Sequence, residues 1–231
     1  MITNNDLSFI GVTEQTLIEQ VCGIALHKQI SFYEVIGDRN WNADLDIGQI
    51  SFGEGLDFPI QSLGTFSHGS QTWLWAWANP QAGYSERFLQ QAQQLKDFGE
   101  SHQLDLLTIG RLNARPIDMH IIGSIASSMF NASAYYIADY GQGAMVVTLK
   151  SALIDSAITD SHARVLTVIS QMISMFEVNH QRAITHYLTA QGYTLVKNGN
   201  ILTASKNNQH LQAEFDYLER LVNLTGAINP D

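Results

Sequence analysis

Cysteine is nearly absent from this sequence, since Cys22 is the only one among 231 residues. An internal disulfide needs two cysteines, so nothing here indicates an oxidising compartment. The sequence also lacks a run of about 18 apolar residues that could span a membrane. Residues 1–8 lack the basic and apolar segments of a signal peptide. We therefore expect a cytoplasmic protein with no membrane partner.

Charged residues are scarce, and one sign dominates them. They make up 15% of the chain, and 22 Asp and Glu residues face only 12 Lys and Arg residues, for a formal net charge of -10. A field of that sign repels the phosphates of nucleic acids, which argues against a nucleic-acid partner. Hydrophobic residues reach 45%, enough for one large core or two smaller ones.

The motifs of catalysis and cofactor binding are missing as well. The sequence contains no Walker, dinucleotide-binding, nucleophile-elbow or Cys-x-x-Cys pattern. Glu177 and His180 are neighbours on a predicted helix, but a zinc site needs a third ligand, and His186 falls on another side. We therefore predict no catalytic residue, no metal site and no cofactor.

What the sequence does contain is an alternation of helical and strand-like segments, typical of an α+β protein with an antiparallel meander sheet packed against helices. The pattern predicts helices and strands over the first two thirds of the chain. The helices are 13–28, 85–99 and 116–131, and the strands are 30–36, 58–66, 71–78, 104–109, 134–139 and 144–149, with one or two more over 43–52.

The last third of the chain follows a different pattern. Helical spacing runs from 159 to 191, an Asn198-Gly199 pair predicts a β-hairpin, and 207–224 has helical spacing again. We therefore predict an antiparallel-sheet domain over 1–154 and a helix–hairpin–helix segment over 155–231. Whether this segment packs on the first domain as one unit or stands apart is left open.

The most distinctive text is the segment 61–80, which contains Leu63-Gly64-Thr65-Phe66-Ser67 and then Thr72-Trp73-Leu74-Trp75-Ala76-Trp77-Ala78-Asn79. It resembles a family of uncharacterised bacterial proteins marked by an L-G-T-x-S turn and a T-W-x-W-A-W-A-N strand. The resemblance covers the chain up to about Lys150. The family has no assigned activity or catalytic residues, so the resemblance does not predict any.

In a strand over 71–78, Trp73, Trp75 and Trp77 would share one face, because side chains alternate across a sheet. Large apolar residues are mostly buried, so we favour a core role for the three rings. An exposed aromatic platform for a ligand or partner is the sharper alternative. A mixed arrangement, with Trp75 buried and Trp73 or Trp77 lining a groove, is a third.

Two histidines complete the predicted binding residues. His68 lies in a predicted turn beside the tryptophan strand and matters only if it faces that groove. His120 lies on a predicted helix and could combine with Asp118 or Asp139 in a cleft. An exposed polar role is the more common one for an isolated histidine or carboxylate.

Four acidic residues cluster in the predicted hairpin loops. Asp44-x-Asp46 has the start of a calcium-loop pattern, but the later ligands of such a loop are not supplied in order. We interpret the cluster as solvated acidic loops. Its members are Asp44, Asp46, Glu54 and Asp57.

The favoured functional hypothesis is a non-catalytic intracellular protein-interaction module. It would hold a partner protein or a second copy of itself through the sheet, the tryptophan strand or an exposed edge, with its acidic face toward a basic partner. The alternative is an enzyme or small-ligand binder with a pocket between sheet and helices near Trp75, His68 or His120. A third hypothesis, DNA binding by the C-terminal segment, lacks the basic surplus it requires.

Overall fold

The computed structural model describes residues 12–228. The predicted absence of a signal peptide concerns residues 1–8, outside this range. The chain divides into two compact units, the first made of 12–14 and 28–158 and the second of 15–27 and 159–228. Each contains an antiparallel sheet flanked in sequence by helices, which confirms the α+β class.

The first helix is longer than its sequence predicts. Helix α1 runs over Glu14–Ile36, so the predicted strand 30–36 is wrong. Aromatic and β-branched residues favour a strand there, but Phe32 and Ile36 lie four apart on one helical face and are both buried. Packing of that face into the core of the first unit outweighs the local strand preference.

The sheet of the first unit has seven antiparallel strands. The longest, β3, pairs with β2, β4 and β7; β1 pairs with β2, β5 with β4 and β6 with β7. The bounds are β1 Asn42–Asp44, β2 Gln49–Ser51, β3 Asp57–Ser67, β4 Thr72–Trp75, β5 Arg111–Asn113, β6 Ala134–Asp139 and β7 Gly143–Leu149.

Four more helices belong to this unit: α2 Glu86–His102, α3 Asp105–Thr108, α4 Pro116–Met129 and α5 Ala152–Ala157. The predicted strand 104–109 is wrong, because that apolar stretch forms the single turn of α3 and buries Leu107. The predicted strand 71–78 is half right, because β4 ends at Trp75 and a short 3-10 helix, Ala76–Ala78, follows.

A side-chain amide covers one edge of this sheet. Gln29, on α1, donates from Nε2 to the main-chain oxygen of Tyr135 at 2.9 Å and accepts from the main-chain nitrogen of Tyr135 at 3.0 Å. Gln29 thereby makes the two hydrogen bonds that a neighbouring strand would make to edge strand β6. Lys28 adds a bond from Nζ to the Ala132 carbonyl at 2.8 Å.

In the second unit two helices precede a four-stranded sheet of order β11-β10-β9-β8. The single helix predicted over 159–191 is wrong, because one helix ends at Met175 and the Asn179 side chain caps the start of a second one. The bounds are α6 His162–Met175, α7 His180–Ala190, β8 Thr194–Asn198, β9 Ile201–Lys206, β10 Gln209–Phe215 and β11 Leu221–Ile228.

The predicted last helix, 207–224, and with it the helix–hairpin–helix order, is wrong. Leu211, Ala213 and Phe215 are buried at a spacing of two, which is the period of a strand. Leu218 and Val222, which complete the apparent helical stripe in the sequence, are exposed. The hairpin around Gly199 is present between β8 and β9.

Residues 15–27 of α1 are held in the second unit by polar contacts. The Glu19 carboxylate is 2% exposed, pairs with Arg182 Nε at 2.9 Å, and accepts from the Asn179 main-chain nitrogen at 3.0 Å. His27 donates from Nε2 to the Thr159 carbonyl at 2.9 Å, so its Nδ1 accepts from the Tyr187 hydroxyl at 2.8 Å.

Candidate interaction site

The tryptophan strand is mostly part of the core. Trp73 and Trp75 are both 0% exposed, and their rings meet edge to face with centroids 5.5 Å apart. The indole nitrogen of Trp75 donates to the Leu106 carbonyl at 3.0 Å. These positions agree with the core interpretation and leave neither ring open to a ligand or partner on the protein surface.

Trp77 does not share a strand with the other two. It lies in the 3-10 helix after β4, is half-buried, and stacks on Trp75 with centroids 6.5 Å apart. Lys96 Nζ lies 4.8 Å from the centre of the Trp77 ring, a cation–π distance. An intramolecular cation therefore occupies one face of this ring.

His68 and Asp139 come together although they are distant in sequence. Nε2 of His68 lies 3.0 Å from Oδ2 of Asp139, and both side chains are substantially exposed. The main-chain N–H of Gly141, followed by His68, holds the pKa of the Asp139 carboxyl below its usual value. The pair links the turn after β3 to the end of β6. It resembles the base and orienting group of a hydrolase, but no nucleophile is in contact with it among residues 12–228.

His120 serves a different partner from the carboxylates that its sequence context suggests. Its Nδ1 lies 2.9 Å from the Tyr135 hydroxyl. Asp118, by contrast, accepts from the main-chain nitrogen of Arg115 and caps the start of α4. Burial lowers the pKa of His120 and raises that of Tyr135, so both stay neutral at pH 7. The contact joins α4 to β6.

Cys22 is fully buried, and burial raises the pKa of its thiol to about 12. A thiol of that pKa carries almost no thiolate at neutral pH, which agrees with a packing role for Cys22. Among residues 12–228 no group of three or more His, Cys, Asp or Glu side chains could hold a metal ion. No helix within that same span is long and apolar enough to cross a membrane.

The four carboxylates of the predicted acidic cluster are all exposed. We define the acidic platform as Asp38, Asp44, Asp46, Glu54 and Asp57, all exposed. None of the five forms an ion pair with another residue of 12–228. The side chain of Arg39 lies beside Gly53, next to Glu54, so one cation stands near this surface without forming an ion pair with any of the five carboxylates.

Two aliphatic side chains stand in the turn between β1 and β2, next to Asp44 and Asp46, and sequence reasoning missed them. Leu45 is 37% exposed and Ile47 is 58% exposed. The turn that presents them is ordered locally, because Oδ1 of Asp44 accepts from the main-chain nitrogens of Asp46 at 3.0 Å and Ile47 at 3.2 Å. The sequence signal was the alternation Asp-Leu-Asp-Ile, which places apolar residues in a tight turn.

An aromatic cluster supports this surface from below. Phe52, which follows β2, packs edge to face on Tyr136 with centroids 4.9 Å apart and on Phe32 at 5.7 Å. Trp41, just before β1, also meets Tyr136 edge to face, at 6.4 Å. Each such pair contributes about 0.5–1.5 kcal/mol beyond burial, so these contacts hold the residues that flank β1 and β2 on Tyr136.

A depression of about 440 Å³ lies elsewhere in the first unit, between the β3–β4 turn, β5 and the start of α4. It lacks aromatic side chains, whereas small-molecule sites are mostly lined by apolar and aromatic ones. Its lining residues are Ser70, Gln71, Asn113, Ala114, Arg115 and Asp118.

Comparison with known proteins adds one finding. The model of a family described as a family of unknown function, DUF6882, matches residues 15–152. The match contains the tryptophan motif, the His68–Asp139 pair and the whole acidic platform. Neither a curated protein nor a solved structure matches the chain.

Proposed function

Because the chain belongs to the family of unknown function DUF6882, no activity comes with its family, and we propose that it is a non-catalytic intracellular protein-interaction module. The acidic platform, with Leu45 and Ile47 exposed in its turn, is its contact surface. The partner is a basic protein that offers a small apolar recess.

One observation carries this proposal: two exposed aliphatic side chains stand in one turn beside Asp44 and Asp46, and neither carboxylate forms an ion pair within residues 12–228. A single exposed leucine or isoleucine is ordinary on a protein surface. Two of them in one short turn, beside two carboxylates without an ion pair, resemble the apolar centre and charged rim of an interface.

The charges and the aliphatic groups would contribute differently to binding. Charges on the rim mainly raise the association rate, and salt screens them with a Debye length of about 8 Å at 0.15 M. Burial of Leu45 and Ile47 would contribute about 1 kcal/mol each, since both are already partly buried. We therefore expect a complex that forms fast and weakens with salt.

The test compares two variants of equal charge. One replaces three platform carboxylates, as Asp46→Asn, Glu54→Gln and Asp57→Asn. The control replaces three exposed acids elsewhere in the first unit: Glu86→Gln, Asp97→Asn and Asp105→Asn. Immobilised wild type and control should retain the same basic proteins from a cell extract at low salt, and the platform variant should lose them.

Two results would contradict the proposal. The first is that wild type retains nothing at low ionic strength. The second is that the platform and control variants retain the same proteins to the same extent, because net charge alone would then explain the binding.

A second pair of variants tests the aliphatic groups. Leu45→Ser with Ile47→Ser should weaken the complex about tenfold or more at every salt concentration, from the lost burial. The control is Ile109→Ser with Leu153→Ser, which removes two aliphatic side chains of similar exposure elsewhere in the first unit. Equal weakening by both pairs would place the contact outside the platform.

The alternative, an enzyme or small-ligand binder, has weaker support. Trp75 is buried, His120 is bonded to Tyr135, and the depression near the β3–β4 turn includes neither histidine. DNA binding by the C-terminal segment also lacks support in its charge, since residues 159–228 hold five acidic and five basic residues.

A further inference from the structure

The edge strand β11 has an unusual composition. Its eight residues, Leu221–Ile228, contain no charged residue and no proline. Within residues 12–228 it pairs with β10 alone. At about 3.3 Å per residue it presents an edge roughly 26 Å long.

The hydrogen-bond pattern shows which groups face outward. Phe215 donates its main-chain N–H to the Asn200 carbonyl at 2.9 Å, so residues at a spacing of two along β10, including Ala213 and Leu211, face β9. Leu224 lies opposite Ala213, and Gly226 lies opposite Leu211. The N–H and C=O groups of Leu224 and Gly226 therefore point away from β10.

The other sheet edges have features that hinder hydrogen bonding to a strand of another molecule. Gln29 covers β6 with two hydrogen bonds, and β8 carries Lys197. Strands β1 and β5 are only three residues long. On β11 the one such feature is at its start, where the N–H of Leu221 donates to His180 Nδ1 at 3.0 Å.

We propose that two copies of this chain pair antiparallel along β11, around a two-fold axis at Thr225. The two four-stranded sheets then form one sheet of eight strands. Leu224 of each copy exchanges main-chain hydrogen bonds with Gly226 of the other copy. The main-chain N–H and C=O groups of Thr225 point toward β10 of the same copy.

The absence of charge along β11 is the reason for choosing a second copy as the occupant. Two molecules with a net charge of -10 repel each other across most of their surfaces. β11 offers an uncharged strip where two copies can approach, and a two-fold axis brings like residues together without like charges. The axis at Thr225 also places the two threonines in a close, non-hydrogen-bonded pair, which is favourable in antiparallel sheets.

The expected dimer is weak. One strand pair buries less than the roughly 1,200 Å² of a stable interface, so we expect a dissociation constant in the micromolar range or above. Concentration is therefore the variable to control.

Cysteine cross-linking tests the axis directly. In a Cys22→Ala background, Thr225→Cys should form an intermolecular disulfide on mild oxidation, because facing residues of a non-hydrogen-bonded pair have close Cβ atoms. The control is Thr203→Cys, which is exposed in the same cross-strand row but on the interior strand β9. We expect about tenfold more cross-linked dimer from Thr225→Cys at about 100 µM protein.

A backbone substitution tests the outward hydrogen bonds. Leu224→Pro removes an outward N–H that β10 does not use, and Leu224→Ala trims the side chain but keeps that N–H. Cross-linking through Thr225→Cys should be lost with proline and kept with alanine. Gly226 is unsuitable for such a test, because an added Cβ would collide with His162 Nε2.

Hydrogen exchange of the wild-type protein needs no substitution. The amides of Leu224 and Gly226 should exchange several-fold more slowly at about 500 µM than at about 5 µM protein. Exchange independent of concentration would overturn the proposal, as would equal cross-linking of the two cysteine variants. A Val196→Cys and Thr225→Cys mixed disulfide in excess would instead indicate pairing of β8 with β11 and overturn the two-fold axis. None of these outcomes bears on the acidic platform, which lies in the other unit.

Discussion

Replacement of Gln29 by leucine should destabilise the first unit far more than loss of one surface side chain. The amide makes two hydrogen bonds to the main chain of Tyr135, and both partners are buried. Leucine fills a similar volume but leaves one donor and one acceptor without partners. Each unsatisfied buried group costs about 1–3 kcal/mol, so we expect a loss of about 3 kcal/mol in unfolding free energy.

The assay is urea unfolding with hydrogen exchange at Tyr135. The amide of Tyr135 should exchange at least 50-fold faster in Gln29→Leu than in wild type if opening of β6 costs about 3 kcal/mol less. The control is Gln93→Leu, which removes an exposed bond from Gln93 to Asp97 and should cost less than about 0.5 kcal/mol. If Gln29→Leu costs no more than this control, the edge-covering role of the amide is refuted.

Three further predictions concern other buried contacts. Tyr187→Phe removes the donor to Nδ1 of His27 and should lower the unfolding free energy by about 1–2 kcal/mol in urea titrations; an unchanged midpoint would contradict the buried bond. Burial lowers the pKa of His27 from 6.5, so below that pH the unfolded state binds more protons than the folded state. The contribution of His27 to the free energy of unfolding should therefore be complete above pH 6.5 and fall as the pH drops below it. The fall should be smaller in His27→Gln. Gly64→Ala would place a Cβ 2.5 Å from the Trp73 ring and should cost about 3 kcal/mol, whereas Gly69→Ala, with nothing within 4 Å, should lie within about 0.5 kcal/mol in thermal unfolding.

The features that sequence reasoning predicted correctly are local ones. The hairpin at Gly199 is encoded in adjacent residues that tolerate positive φ, and the structure has φ of 60° there. The helix starting at Pro116 follows from the fixed φ of proline. The exposed acidic cluster follows from the hydration of charged side chains, which needs no knowledge of the fold.

The failures share a cause, because several segments satisfy two periodicities at once. In 207–224, apolar residues stand at spacings of two and of three or four, and only burial distinguishes them. The strand prediction for residues 30–36 is wrong for another reason. The local strand preference of these residues is outweighed by the tertiary packing of Phe32 and Ile36 on one helical face. Sites built from distant residues, such as His68 with Asp139, could not be predicted. The local sequence around one residue does not show which distant residue will contact it in the fold.

Because of helix α1, a protein truncated at the end of the family match would lose part of one compact unit. Residues 15–27 fall inside the matched span 15–152, yet they belong to the unit completed by residues 159–228. A shortened protein that stopped at residue 152 would leave Glu19 without Arg182 and Leu17 and Val21 facing water. We expect such a fragment to aggregate and to be rescued by the separate polypeptide 159–231 added in trans. The residues that the family model matches and the residues of one compact unit are therefore different sets.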